Sequence, residues 1–175
     1  MVDEVTKTKI KDIKGFLHGM PDGLWLETSL TCKDLCYISS IRFFCNGLPS
    51  GCWREFSPSG WEKWKCCFDN GTRHGLEVHF IDKNTPDRSI EYNRGVRDGN
   101  SFTFSRTSDT QYAFGTIYSI GRVKKQTVLS KNECIQIENE LKEEATGHNI
   151  LESMSLLESE YIPNEFDPFK YFSLY

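Results

Sequence analysis

The stretch FCNGLPSGCWREF, Phe44–Phe56, holds two glycines four residues apart, with an aromatic before them and two after. Such a frame fits either a loop that cradles a ligand or a tight turn in a building unit. Recurrence decides between the two. Phe44, Asn46, Gly47, Gly51 and Phe56 return 24 residues on as Phe68, Asn70, Gly71, Gly75 and Phe80. They return after another 24 as Tyr92, Arg94, Gly95, Gly99 and Phe104.

The pattern also runs backwards. GFLHGMPDGLWLE carries Phe16, Gly19, Gly23, Trp25 and Glu27, which align with Phe44, Gly47, Gly51, Trp53 and Glu55 at an offset of 28, and Pro21 matches Pro49. A four-residue insertion in TCKDLCYISS accounts for the longer step. Forwards, Tyr118 and Gly121 open a decayed copy in which Lys125 replaces the second glycine. Four good repeats and one degenerate end unit therefore cover residues 15–129.

Each unit predicts a β-hairpin. A strand-like segment such as ISSIRFFC or WEKWKCCF leads into a turn such as Asn70-Gly71 or Arg94-Gly95, where φ > 0 is needed. A second strand is expected to start at the second glycine, as in GCWREF, GLEVHF and GNSFTF. One hairpin is marginal in water, but stacked hairpins bury their aromatic faces against each other. The glycines Gly19, Gly23, Gly47, Gly51, Gly71, Gly75, Gly95 and Gly99 are thus structural. The fold class that follows is mainly β: an elongated, twisted antiparallel sheet of repeated hairpins, with a short C-terminal helical segment and an extended tail. The 13% aromatic content points the same way, because large rings suit a β-rich interior.

The aromatic-x-x-Gly-x-x-x-Gly series resembles the MORN repeat superfamily, in particular its variant units of about 24 residues found in antitoxin-like proteins. The resemblance covers roughly two-thirds of the chain. It departs from the standard unit, which continues Gly-x-Gly, where this chain has Trp25, Trp53, Glu77 and Ser101. The resemblance implies an array that acts as a scaffold, presenting a long surface to proteins or, in some branches, to lipids. Variant repeats of this kind also abound in large DNA viruses of amoebae and in bacteria. A structural component of a larger assembly, such as a minor capsid protein of a viral particle, is the role it implies. An antitoxin-like module that binds one effector protein, and a peripheral membrane module, are the alternatives.

After the repeats the period turns helical. Ser130-Lys131-Asn132-Glu133 fits a capping box, Cys134, Ile137, Leu141 and Ala145 form one stripe, and Gly147 is a stop signal. Ile150, Leu151, Met154 and Leu157 again follow helical spacing. Both stretches are expected to cap the open strand edge at the end of the array. Beyond Pro163, NEFDPFKYFSLY gathers Phe166, Phe169, Tyr171, Phe172 and Tyr175. This arm either packs along its own sheet or anchors in another protein, and its five rings are the candidate partner-binding residues. The organisation is a basic arm (1–14), the hairpin array (15–129), an acidic helical cap (130–160) and the aromatic arm (161–175).

The glycine pairs lack the Gly-Lys-Ser/Thr of a phosphate loop, and no Ser, Asp or Cys recurs with His18, His74, His79 or His148 in a triad-like pattern. The chain is therefore expected to be non-enzymatic, with no cofactor and no small-molecule substrate. Cys32 and Cys36 are the candidates for a metal site, but their spacing lacks the paired clusters of zinc ligands. Adjacent Cys66 and Cys67 should point to opposite faces of a strand. All seven cysteines are expected as thiols, and Asn70-Gly71-Thr72 as a plain turn rather than a glycosylated one.

The net charge of −4 is uneven: residues 131–175 hold ten acidic and three basic side chains, leaving +3 for residues 1–130. Basic clusters at Lys7, Lys9, Lys11 and Lys14 and at Arg122-Val123-Lys124-Lys125 suit solvated surfaces, with a membrane surface as a lesser option and nucleic acid not expected. Trp61, Lys63 and Trp64 alternate across a strand and so do not form a stacking platform. No apolar run reaches the roughly 18 residues of a membrane span, and MVDEVTKTKIKDIKG lacks the apolar core of a secretory signal. The expected location is the cytoplasm, or a virion assembled there. Protein partners, within a multi-subunit assembly, are the expected ligands.

Overall fold

The computed structural model describes residues 12–31, 33, 36–83, 85–106 and 111–146. Ten strands follow one another: β1 (Ile13–Leu17), β2 (Met20–Leu30), β3 (Cys36–Cys45), β4 (Leu48–Phe56), β5 (Glu62–Asp69), β6 (Thr72–Asp82), β7 (Thr85–Asn93), β8 (Val96–Arg106), β9 (Gln111–Ser119) and β10 (Arg122–Leu129). Each pairs antiparallel with the next, so chain order is spatial order across a single sheet. One helix, α1 (Lys131–Thr146), follows.

The repeat explains the hairpins. In the second unit, Cys45 pairs with Leu48 across a two-residue turn in which Asn46 has φ 50° and Gly47 has φ 81°. Two successive positive φ values make a type I′ turn, whose twist matches that of the strands it joins. The same geometry recurs at His18-Gly19, Asn70-Gly71, Arg94-Gly95 and Ile120-Gly121. From the second hairpin on, the turn glycine donates its amide to the preceding hairpin: Gly47 to the Pro21 carbonyl at 2.8 Å, Gly71 to Pro49 at 2.9 Å, Gly95 to Arg73 at 2.7 Å and Gly121 to Arg97 at 2.8 Å. The repeat thus fixes the stacking of units as well as the turn within each.

The second glycine does not begin a strand. The outgoing strand starts directly after the turn, at Leu48, Thr72 or Val96. The second glycine instead lies in a bulge: between the pairs Ile41↔Arg54 and Phe43↔Ser50, Gly51 and its two successors face Arg42 alone. Gly51 has φ 62°, a conformation that a side chain disfavours. In the last hairpin, where Lys125 replaces this glycine, only Lys124 is extra. The decayed repeat keeps its turn and shrinks its bulge.

Register carries one row across all ten strands: Ile13, Leu26, Ile41, Arg54, Lys65, Val78, Ser89, Phe102, Gly115 and Thr127. This row lies on the face that α1 covers. Val78, Phe80, Phe104 and Ala113 form a core there with Cys134 and Leu141 of the helix, joined by Ile137 and Leu129. Phe56, Phe80 and Phe104, the closing aromatics of three units, are all buried.

The helix starts as a capping box. Ser130 Oγ accepts from the Glu133 amide at 3.4 Å, and the Ser130 amide donates to Glu133 Oε2 at 2.8 Å. The Ser130 hydroxyl, which donates to Glu133 Oε2 at 2.6 Å, and after it the Ser130 amide hold the Glu133 carboxyl below its ordinary range. The position of α1 differs from an edge cap: it contacts β7 and β9 from the sheet face, while residues 122–128 of β10 stay exposed. An apolar stripe gains from burying other apolar groups, and the sheet face offers those, whereas an edge offers only backbone polar groups. The second helical stretch, residues 150–157, and the end of the chain lie outside the described residues.

Candidate interaction face

On the face opposite α1, rings pack in succession from strand to strand. Phe16 meets Trp25 with centroids 5.3 Å apart, Trp25 meets Phe44 at 4.8 Å, Phe44 meets Trp53 at 5.0 Å, and Trp53 meets Phe68 at 4.7 Å. All are tilted, the arrangement that ring quadrupoles favour. The two tryptophans are fixed identically: Trp25 Nε1 donates to the Gly15 carbonyl and Trp53 Nε1 to the Phe43 carbonyl, both at 2.8 Å. The ladder therefore has a defined orientation. It begins at Phe16, which is 60% exposed.

Cations lie over the rings along the same face. Lys14 Nζ is 5.3 Å from the Trp25 centroid, and the guanidinium carbons of Arg42, Arg73 and Arg97 are 5.4, 5.4 and 5.6 Å from those of Trp53, Tyr92 and Tyr118. Each such contact contributes about 0.5–1 kcal/mol at a partly exposed site. Carboxylates alternate with these cations. Lys14 pairs with Glu27 at 3.2 Å, Arg42 with Glu27 at 3.4 Å and Glu55 at 3.6 Å, and Arg73 with Glu77 at 3.0 Å. The Glu27 carboxyl lies below its ordinary range, chiefly through the hydrogen bond from Ser40. Four cations against three carboxylates leave this stripe close to neutral, which suits a protein surface better than a polyanion.

Glu77 is the most heavily bonded carboxylate of the stripe. It accepts from Trp64 Nε1 at 3.0 Å and from Arg73 Nη1 at 3.0 Å, and lies 2.9 Å from His79 Nε2. Burial would raise its pKa, but the hydrogen bonds from His79 and Trp64 and the charge of Arg73 outweigh it and hold the group at about 2. Cys66 pairs in register with Glu77, and burial together with that carboxylate pushes its thiol up to about 12. A thiol so far from its thiolate is a poor nucleophile, so the nearness of Cys66, His79 and Glu77 does not amount to an activated cysteine.

The cysteines include one pair the sequence reading missed. Cys52 and Cys67 are register partners on β4 and β5, and a disulfide joins them. The expectation of seven thiols fails for these two. Their pairing follows from register, which puts them side by side on the α1 face, and Cys66 accordingly points to the other face. Cys45, Cys66 and Cys134 are free thiols. Cys32 lies outside the described residues, so its placement beside Cys36 is not described. Among the described residues no three His, Cys, Asp or Glu side chains gather as a metal site.

The remaining candidates fall elsewhere. Trp61 packs against the helix-face core, while Trp64 bonds Glu77 on the opposite face. All eight repeat glycines have φ between 62° and 107°. A groove of about 280 Å³ runs beside α1, between Phe102, Ile117, Thr127 and Ile137. Its polar rim is already engaged, Glu133 with Ser130 and Gln136 with Glu140 at 2.9 Å. The candidate partner-binding rings Phe166, Phe169, Tyr171, Phe172 and Tyr175 lie outside the described residues, as do Lys7, Lys9 and Lys11.

Of the ladder's cations, Lys14 was read from sequence only as part of a basic cluster, and Arg42, Arg73 and Arg97 were not singled out, although a signal exists. Lys14 and Arg42 recur at the offset of 28, and Arg73 and Arg97 at 24. No family model matches the chain, and no curated protein or solved structure matches it.

Proposed function

We propose that the chain is a non-enzymatic, MORN-like scaffold that holds protein partners in a larger assembly through its aromatic face. The observation that carries this reading is the unbroken ladder from Phe16 to Phe68 with cations laid across it. Rings and arginines are the side chains that dominate binding at protein interfaces. The alternating carboxylates add charge selectivity and weaken the case for a nucleic acid or an anionic membrane. Among the described residues no element covers this face, since α1 is the one helix and lies on the other side. The aromatic arm at 161–175 is a second contact in this reading.

The test compares three full-fold proteins as baits in the native source: the unaltered chain, Phe16→Ser with Arg97→Glu, and a chain lacking residues 163–175. Phe16 and Arg97 are chosen because they are accessible and stand outside the buried core. The expected result is a reproducible set of protein partners, reduced at least tenfold by the face substitutions, with the β-sheet circular dichroism signal intact. Equal recovery on the substituted face would remove it as the binding surface. A single partner at one-to-one stoichiometry would turn the reading toward an inhibitory module.

A further inference from the structure

The bond that stacks one hairpin on the next leaves a donor at one end of the sheet and an acceptor position at the other. From Gly47 to Gly121, each turn amide meets the carbonyl two residues past the preceding turn glycine. Gly19 belongs to the first hairpin, with none before it, and Val123 holds the acceptor position of the last, with none after it. A second contact repeats in step with the first. The residue just past each turn glycine lies against the next turn glycine, from Met20 beside Gly47 to Val96 beside Gly121. Among the described residues nothing comes within 4 Å of the place that a Cβ on Gly19 would take.

The outer strands match each other as neighbouring hairpins do. Among the described residues β1 and β10 end the sheet, and an unpaired strand edge is a template for another strand. Every pairing is antiparallel and the strand number is even, so β1 of a second copy set beside β10 continues the alternation with both faces kept. Successive hairpins share one register row, as in Arg54↔Lys65 and Phe102↔Gly115, and the next pair of that row is Thr127 with Ile13 of the second copy. Arg97 lies over the Tyr118 ring, and the equivalent contact at the junction is Val123 on Phe16, which are 52% and 60% exposed.

Charge favours the same pairing. Residues 12–30 hold Asp12, Asp22 and Glu27 against Lys14, a net of −2, and adding residues 1–11 leaves −1. Residues 111–129 hold Arg122, Lys124 and Lys125 with no acidic side chain, a net of +3. Unlike ends attract, while the basic β10 edge repels a second β10.

We infer that the chain associates head to tail with copies of itself, β10 of one copy pairing antiparallel with β1 of the next and Gly19 donating to the Val123 carbonyl across the junction. Such a contact is heterologous: every addition leaves one β1 and one β10 open, so copies add in a row, about 48 Å apart at about 4.8 Å per strand. The aromatic face is then continued from copy to copy. The inference does not rest on what binds that face, and the purified chain alone tests it.

Sedimentation equilibrium of the full-length chain, from micromolar to near-millimolar concentration, is expected to show an average mass that rises past the dimer without a plateau. A monomer throughout, or a plateau at the dimer, would overturn the inference. Disulfide trapping reads the register. Ile13→Cys and Thr127→Cys are made separately, mixed and oxidised, and the linked peptides are identified by mass spectrometry. The 13–127 pair is expected to exceed the 13–13 and 127–127 pairs together at least tenfold. Like pairs in comparable amount, or no linkage between copies through these positions, would count equally against it. Both positions lie on outer strands away from the core, and the sedimentation result needs no variant.

Discussion

Trp53 and Glu77 flank Cys66 as its register partners from the two neighbouring strands, and each fills the same position of its repeat. Trp53 satisfies its one polar atom on the Phe43 carbonyl and gives its ring to the ladder. Glu77 has no ring to give, and it collects Trp64, Arg73 and His79 instead. The array changes here from stacked rings to a hydrogen-bonded carboxylate.

That exchange predicts a specific acid sensitivity. Glu77 sits at about 2 in the folded chain, against an ordinary value of 4.5, so the unfolded state binds the extra proton between those values. Its contribution is fully present above pH 4.5 and is lost as pH falls toward 2. A shift of this size corresponds to about 3 kcal/mol. Urea unfolding at pH 7, 4 and 2 should therefore show Glu77→Gln less stable than the unaltered chain at pH 7 and nearly equal to it at pH 2. A constant difference across the three would remove Glu77 as the source.

The bulge glycines should not be equally sensitive. At Gly75 a Cβ would meet nothing within 4 Å, so Gly75→Ala carries only the cost of its φ of 80°, about 1–2 kcal/mol. At Gly99 the φ is 107° and a Cβ would run into the Glu91 carboxylate, which accepts from the Asn100 amide at 2.9 Å. Gly99→Ala should cost about 1 kcal/mol more through that lost bond. Thermal melts of the two variants measure the difference, with Gly99→Ala melting lower.

Hairpins and turns were legible in the sequence because a positive φ is a local demand, and Asn46-Gly47 or Asn70-Gly71 meets it with residues that tolerate it. The bulge was not legible, since Gly51 is defined as a bulge by its partner Arg42 and not by its own neighbours. The disulfide was hidden for the same reason: Cys52 and Cys67 become neighbours only once that register is set. The α1 stripe of Cys134, Ile137 and Leu141 could be read as apolar, but its target depended on which sheet face held Val78 and Phe104. The ladder was visible ring by ring, whereas its cations required the repeat to be searched for charge as well as for glycine.

Ile120 offers the opposite kind of test, a position where the repeat is imperfect. It takes φ 49° at the place held by Asn46 and Asn70 in earlier turns, and it is 80% exposed. A β-branched residue is poorly suited to that conformation, and its exposed side chain gives little packing in return. Ile120→Asn should stabilise the chain by about 1 kcal/mol, a rise of about 2–4 °C in Tm. An unchanged or lower Tm would show that the apolar side chain contributes more than its exposure indicates.

The last prediction concerns Cys52 and Cys67, which close a loop with a sequence separation of 15. Constraining a loop of that size in the unfolded chain contributes about 3 kcal/mol in the chain-entropy account. Cys52→Ser with Cys67→Ser should therefore lower stability by about 2–3 kcal/mol, and reductant should destabilise the unaltered chain but not the double variant through this bond. The bond is observed directly by alkylation under denaturing conditions followed by peptide mass spectrometry. Without reductant the two cysteines should appear as one linked peptide pair, while Cys45, Cys66 and Cys134 are alkylated. If both cysteines are alkylated without reductant in protein taken from its native source, the two strands are held there by register alone.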